Sequence, residues 1–103
     1  MPRGYEVERR MVKRLELPKN GHVVALDERG RDLTTVQFAE LLKRETTFVI
    51  GGPDGLDESV KRQATSLVRL SSLTLPHALA QVVLLEQIYR AATLLTGHPY
   101  HRA

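Results

Sequence analysis

The sequence predicts an α/β fold: a parallel sheet with helices on both faces. Three observations point to it. Short apolar runs rich in β-branched residues recur at 22–26 (HVVAL), 46–50 (TTFVI) and 66–73 (SLVRLSSL). Segments of helical periodicity separate them, and such alternation favours parallel strands joined by helical crossovers. The run ending at Ile50 stays apolar to its end, as a strand covered on both faces does.

Each element has its own local reason. Val7, Met11, Val12 and Leu15 recur on one helical face amid charged neighbours, which predicts an amphipathic opening helix. PKNG at 18–21 breaks it, and HVVAL follows as a buried strand. DERG at 27–30 reads as a turn. Thr34 and Gln37 then have capping-box spacing, and Leu33 and Phe38 have hydrophobic-staple spacing, so a helix begins near Thr35 and runs through Leu42. After the second strand comes IGGPDGL at 50–56, and Asp57 is placed to cap a short helix through Val60 and Ala64. The third strand loosens into a loop. Pro76 takes the first-turn position of a long helix that reaches about Leu95, stopped by Gly97 and Pro99. That helix is apolar on too many sides for an ordinary surface helix, so it is central to the fold or half of a dimer interface.

Composition narrows the chemistry. At 103 residues the chain is predicted to be one domain, residues 1–103, near the small end of what builds its own core. It has no cysteine, which excludes disulfides, thiolate metal sites and cysteine nucleophiles. A net charge of +3 is compatible with RNA binding and too small to imply it. The apolar stretch at 78–95 is interrupted by Gln81, Glu86, Gln87 and Arg90, so no membrane span is expected; nor does the opening have the pattern of a signal peptide. A cytoplasmic protein is the expectation.

Three stretches offer chemistry. The glycines of IGGPDGL, directly after a buried strand, allow close backbone approach to a ligand at the carboxyl edge of the sheet, although a tight turn explains them equally well. They match neither the dinucleotide fingerprint nor the P-loop. In RLSSLTLPHALA at 69–80, small hydroxyl residues alternate with leucines, a pattern suited to an apolar pocket lined by backbone polar groups; an ordinary strand end and helix cap is the simpler alternative. The segment TGHPYHRA at 96–103 carries titratable and stacking groups, or is simply a polar tail. His98 and His101 lack the partners of a metal site, so no metal is expected.

Taken in order, FVIGGPDGL, LSSLTLPHALAQVVLLEQIYRA and HPYHR resemble the SPOUT-class RNA methyltransferases, specifically the ribosomal RNA large subunit methyltransferase H family. The resemblance covers roughly residues 22–102. It implies a sheet whose carboxyl-terminal part is threaded into a trefoil knot, a homodimer, and S-adenosylmethionine bound in the knot. It also implies methylation of N3 of a pseudouridine in the 23S RNA of the assembled ribosome, without DNA or membrane partners. Carried over by motif position, Leu26, Gly51, Leu70, Ser71, Ser72, Leu73, Thr74 and Leu75 line the cofactor. The nucleophile is an imide nitrogen that must lose its proton, so a base or an anion-stabilising cation is needed. His77, Arg90, Tyr100, His101 and Arg102 are the candidates, with His101 the suggested base and Arg90 equally able to pair with Glu86.

Family members open with a strand, a helix and a second strand, whereas this sequence aligns from the helix after the first strand pieces. The expectation is therefore a SPOUT domain shortened at its amino terminus, with an exposed sheet edge. Two further possibilities accompany the enzyme: a form that binds cofactor or RNA without transfer, and a dimeric interaction module with no ligand.

Overall fold

The computed structural model describes residues 1–2, 4–10, 15–19, 21–52, 55–97 and 100. Its elements run β1 (His22–Asp32), α1 (Thr35–Leu41), β2 (Thr46–Val49), α2 (Glu58–Gln63), β3 (Ser66–Arg69) and α3 (His77–Thr96). The three strands form one sheet in the order β2-β1-β3, and both pairings are parallel. The α/β class and the parallel sheet are as the alternation predicts.

β1 is central. His22 to Ala25 pair in register with Thr46 to Val49, while Val24, Ala25 and Leu26 pair with Ser66, Leu67 and Val68. Val23, Val24, Ala25, Val49 and Val68 are buried, which accounts for the unbroken apolar runs. The core continues between α1 and α3, where Phe38 and Ala39 meet Leu84, Ile88 and Ala91. Phe38 also stacks on Phe48 of β2, with ring centroids 5.4 Å apart.

The start of α1 follows the sequence closely. Thr34 Oγ1 accepts from the Gln37 N–H at 3.1 Å, and Gln37 Oε1 accepts from the Thr34 N–H at 2.9 Å, completing the capping box. Leu33 packs against the cluster that contains Phe38. At its other end α3 stops where Gly97 turns left-handed, with φ 75°.

Several expectations are corrected. Residues 5–10 and 15–18 carry no helix, and Val7 and Leu15 are exposed; Met11 and Val12 lie outside the described residues. The DERG turn lies within β1. Leu26 and Arg31 both align with Val68, so residues 27–30 form an excursion between two segments that pair with the same strand. Gly30 is required where the chain returns: a Cβ there would lie 2.6 Å from the Val68 backbone. β3 ends at Arg69, four residues before the predicted end, and Asp57 makes no side-chain cap to α2. Among the described residues the order therefore begins with a strand. Finally, α3 is long and apolar enough to cross a membrane by length and composition, so the polar residues at 81, 86, 87 and 90 do not shorten the apolar run below that length as expected. Its buried residues, Leu84, Ile88, Ala91, Ala92 and Thr93, face the interior of the domain.

Candidate functional site

Because all three strands are parallel, the segments that leave their carboxyl ends emerge on one edge of the sheet, where open α/β folds bind ligands. Leu26 precedes the excursion in β1, Gly51 follows β2 by one residue, and residues 70–75 lead from β3 to α3. Gly51 and residues 70–75 thus leave the sheet on that edge, while Leu26 lies within β1, level with Val68.

Their surroundings differ. Leu26 and Leu70 are half-buried and pack on the α1–α3 core. Ser71 and Leu75 are half-buried, whereas Ser72, Leu73 and Thr74 are exposed, Leu73 by 74%. The Ser71 hydroxyl accepts from the Leu73 N–H at 3.0 Å, which shapes this irregular segment. A cavity of about 290 Å³ is lined by Ser71, Ser72, Leu73 and Thr74 together with Glu28, Arg29 and Arg69. Arg69 is fixed there by a two-point pair with Asp32, at 2.7 and 2.5 Å. That contact lowers the Asp32 carboxyl and raises the Arg69 guanidinium relative to their ordinary values.

Gly51 sits where no other residue fits. A Cβ at this position would lie 2.5 Å from the Gly55 carbonyl carbon and 2.7 Å from the Leu56 nitrogen. The turn beyond it is closed by the Gly55 N–H donating to the Gly52 carbonyl at 2.9 Å. The cleft itself offers the hydroxyls of Ser71, Ser72 and Thr74 and the charged groups of Glu28, Arg29 and Arg69 around Leu73, donors and acceptors that suit the hydroxyl, amino and carboxylate groups of a cofactor; Leu26, Gly51, Leu70 and Leu75 do not line it.

The candidate catalytic residues fall into two groups. His77, at the start of α3, contacts the glycine turn: its Nδ1 is 2.7 Å from the Gly51 carbonyl. Arg90 is thirteen residues further along the helix, about 20 Å along the axis and about 140° around it. Arg90 donates to Glu86 Oε1 from Nε at 2.9 Å and from Nη2 at 2.5 Å, the pairing open to it from the sequence. The hydrogen bond to Glu86 raises the Arg90 guanidinium above its ordinary value. Tyr100 joins this second cluster by donating to Glu86 at 3.3 Å, by an edge contact with the Tyr89 ring at 4.8 Å, and by lying under the Arg90 guanidinium at 5.9 Å. His101 and Arg102 lie outside the described residues.

Sequence reasoning missed Gln81, Glu28, Arg29 and Tyr89 as members of these groups. Gln81 was findable, standing one helical turn after His77. Glu28 and Arg29 were hidden because the excursion was read as a plain turn. Tyr89 meets Tyr100 through a tertiary contact that no local spacing encodes.

Comparison with known proteins completes the picture. The family described as predicted SPOUT methyltransferase matches residues 4–101. A protein of Burkholderia thailandensis named ribosomal RNA large subunit methyltransferase H is 57% identical over 93 residues, covering 84% of this chain and 60% of its own length. Proteins of the same name from Polynucleobacter necessarius and Herminiimonas arsenicoxydans are 56% and 52% identical over 92 residues each, covering 84% of this chain and 68% and 59% of their own lengths. The chain thus spans about 60% of the length of the first of these relatives. With its glycine-bounded carboxyl edge and a family match that runs through nearly all of its length, the chain belongs to the SPOUT methyltransferase family.

Proposed function

We propose that the chain acts as a homodimeric, S-adenosylmethionine-dependent methyltransferase, methylating N3 of a pseudouridine in the large-subunit ribosomal RNA of assembled ribosomes in the cytoplasm. The knotted topology of the SPOUT class belongs to this reading. The observation that carries it is that the Gly51 turn and the segment 70–75 both follow parallel strands on the sheet edge that receives ligands, with His77 at the start of α3 reaching the Gly51 carbonyl.

In this reading Leu26, Gly51, Leu70, Ser71, Ser72, Leu73, Thr74 and Leu75 hold S-adenosylmethionine. When bound, it supplies a methyl group on a positively charged sulfur, an electrophile that needs neither metal nor covalent enzyme intermediate. The work left to the protein is alignment and handling of the imide proton. Arg90 stabilises the imide anion, Tyr100 and Arg102 hold the RNA, and His101 takes the proton.

The separation of Arg90 from the cofactor edge within one chain supports a site completed by a second copy. Leu79, Val82 and Leu85 are exposed on the face of α3 that also carries Glu86 and Arg90, and Leu73 is exposed just before the helix. Pairing these surfaces buries the apolar stripe and brings one subunit's Arg90 cluster toward the other's cofactor edge.

The direct assay is transfer of labelled methyl from S-adenosylmethionine to ribosomes whose target pseudouridine is unmethylated. Incorporation at that nucleotide is the expected result. Cofactor binding without incorporation would overturn the transferase reading in favour of a binding form, and failure of both would leave a ligand-free interaction module.

A further inference from the structure

The glycine turn after β2 and the segment after β3 belong to strands that are not neighbours, since β1 lies between them. Among the described residues, the hydrogen bond that joins the two is His77 Nδ1 to the Gly51 carbonyl, at 2.7 Å. A carbonyl only accepts, so Nδ1 must carry the proton. The other ring nitrogen is also engaged: Nε2 is 2.9 Å from the side-chain nitrogen of Gln81.

The orientation of the Gln81 amide is fixed from its far side. Arg9 Nη2 donates to Gln81 Oε1 at 2.7 Å, and a guanidinium has no acceptor to offer in return. Reversing the amide would set its NH₂ against the guanidinium and lose that bond. The Gln81 NH₂ therefore points at His77 and donates to Nε2. Arg9, Gln81, His77 and Gly51 form one directed relay in which each link has a donor facing an acceptor.

We propose that His77 is a positioning residue, its proton on Nδ1 and its ring backed by Gln81 and Arg9, that clamps the Gly51 turn against the start of α3. Both ring nitrogens are engaged in this clamp. Gly51 has no room for a Cβ, so its backbone placement is exacting, and a shift at its carbonyl alters the cradle directly. The consequence for cofactor affinity rests on the functional reading above; the clamp itself does not.

The test uses the full chain with ¹⁵N-labelled histidine. Long-range ¹H–¹⁵N spectra are expected to show the proton of His77 on Nδ1, and Gln81→Leu is expected to keep it there while shifting the Nε2 resonance, which loses its donor. His77→Ala is expected to speed amide exchange at Gly55 and to weaken S-adenosylmethionine binding about tenfold by calorimetry, with Gln81→Leu weakening it about threefold. His77→Asn restores most of the affinity, because its amide N–H takes the place of Nδ1–H, whereas a general space-filling role would be better restored by leucine. An Nε2–H tautomer at His77, or unchanged exchange at Gly55 in His77→Ala, would overturn the clamp. If His77→Ala does not fold, Gln81→Leu carries the exchange and tautomer measurements. Should the parent chain fail to bind S-adenosylmethionine while the tautomer and exchange results hold, the functional reading falls and the clamp stands.

Discussion

At the scale of single residues, backbone proximity and burial govern the site more than charge does. Gly30 and Gly51 each stand where a methyl group would run into backbone rather than a movable side chain. His22 illustrates burial. It lies at the amino end of β1, 9% exposed, with Nδ1 lacking a partner among the described residues and Nε2 3.4 Å from the Ser66 hydroxyl. Burial, reinforced by the nearby Arg44 charge, lowers its imidazole below the ordinary 6.5. The unfolded chain therefore takes up a proton at His22 that the folded chain refuses. Stability is fully present above the ordinary histidine value and declines as pH falls through it toward the lowered folded value. Urea unfolding at about pH 7.5 and about pH 5.5 should show a lower midpoint at the acid end, and His22→Leu should reduce that pH dependence. An identical pH dependence in the variant would remove His22 as its source.

At the scale of elements, local chemistry sets the helix boundaries and tertiary contact sets much of the rest. The capping box predicts the start of α1, because Thr34 and Gln37 satisfy each other's backbone donors whatever the remainder of the chain does, while the helix ends at Leu41 with Leu42 as its cap. Thr34→Ala should lower unfolding free energy by about 1 kcal/mol, readable as a shift in urea midpoint at constant slope. No shift would mean that α1 is held by its packing on α3 alone.

The parallel sheet and the start of α1 were legible because strand runs, caps and breakers are local signals; α3 starts one residue later than its proline suggested, with Pro76 extended at the N-cap and His77 the first helical residue. The opening segment was not, since its apolar spacing suits a helix while residues 5–10 adopt none. Nor was the passage of β1 through DERG, which depends on Val68 of a distant strand meeting both Leu26 and Arg31. The site divides in the same way. IGGPDGL and LSSLTL could be placed on the sheet edge from their position after strands, but the His77–Gly51 contact and the separation of Arg90 from it emerge only in three dimensions.

At the scale of the whole molecule, α3 has two faces with different surroundings, and the dimer proposed above uses the second. One packs on α1, through Leu84, Ile88 and Ala91; the other leaves Leu79, Val82 and Leu85 exposed. Val82, 61% exposed, is the suitable probe of the second face. Val82→Glu should change stability of the isolated fold by less than about 0.5 kcal/mol, as exposed substitutions usually do, yet break the pairing by burying an unpaired carboxylate. Light scattering should then give half the mass of the parent protein, and methyl transfer should be lost with the composite site. A dimer that survives Val82→Glu would place the interface elsewhere.

The measurement that bears most directly on the central claim is calorimetric titration of the purified chain with S-adenosylmethionine, with its mass determined by light scattering in the same buffer. The account predicts saturable binding, one cofactor per subunit, to a dimer. A folded protein that binds no S-adenosylmethionine would contradict it.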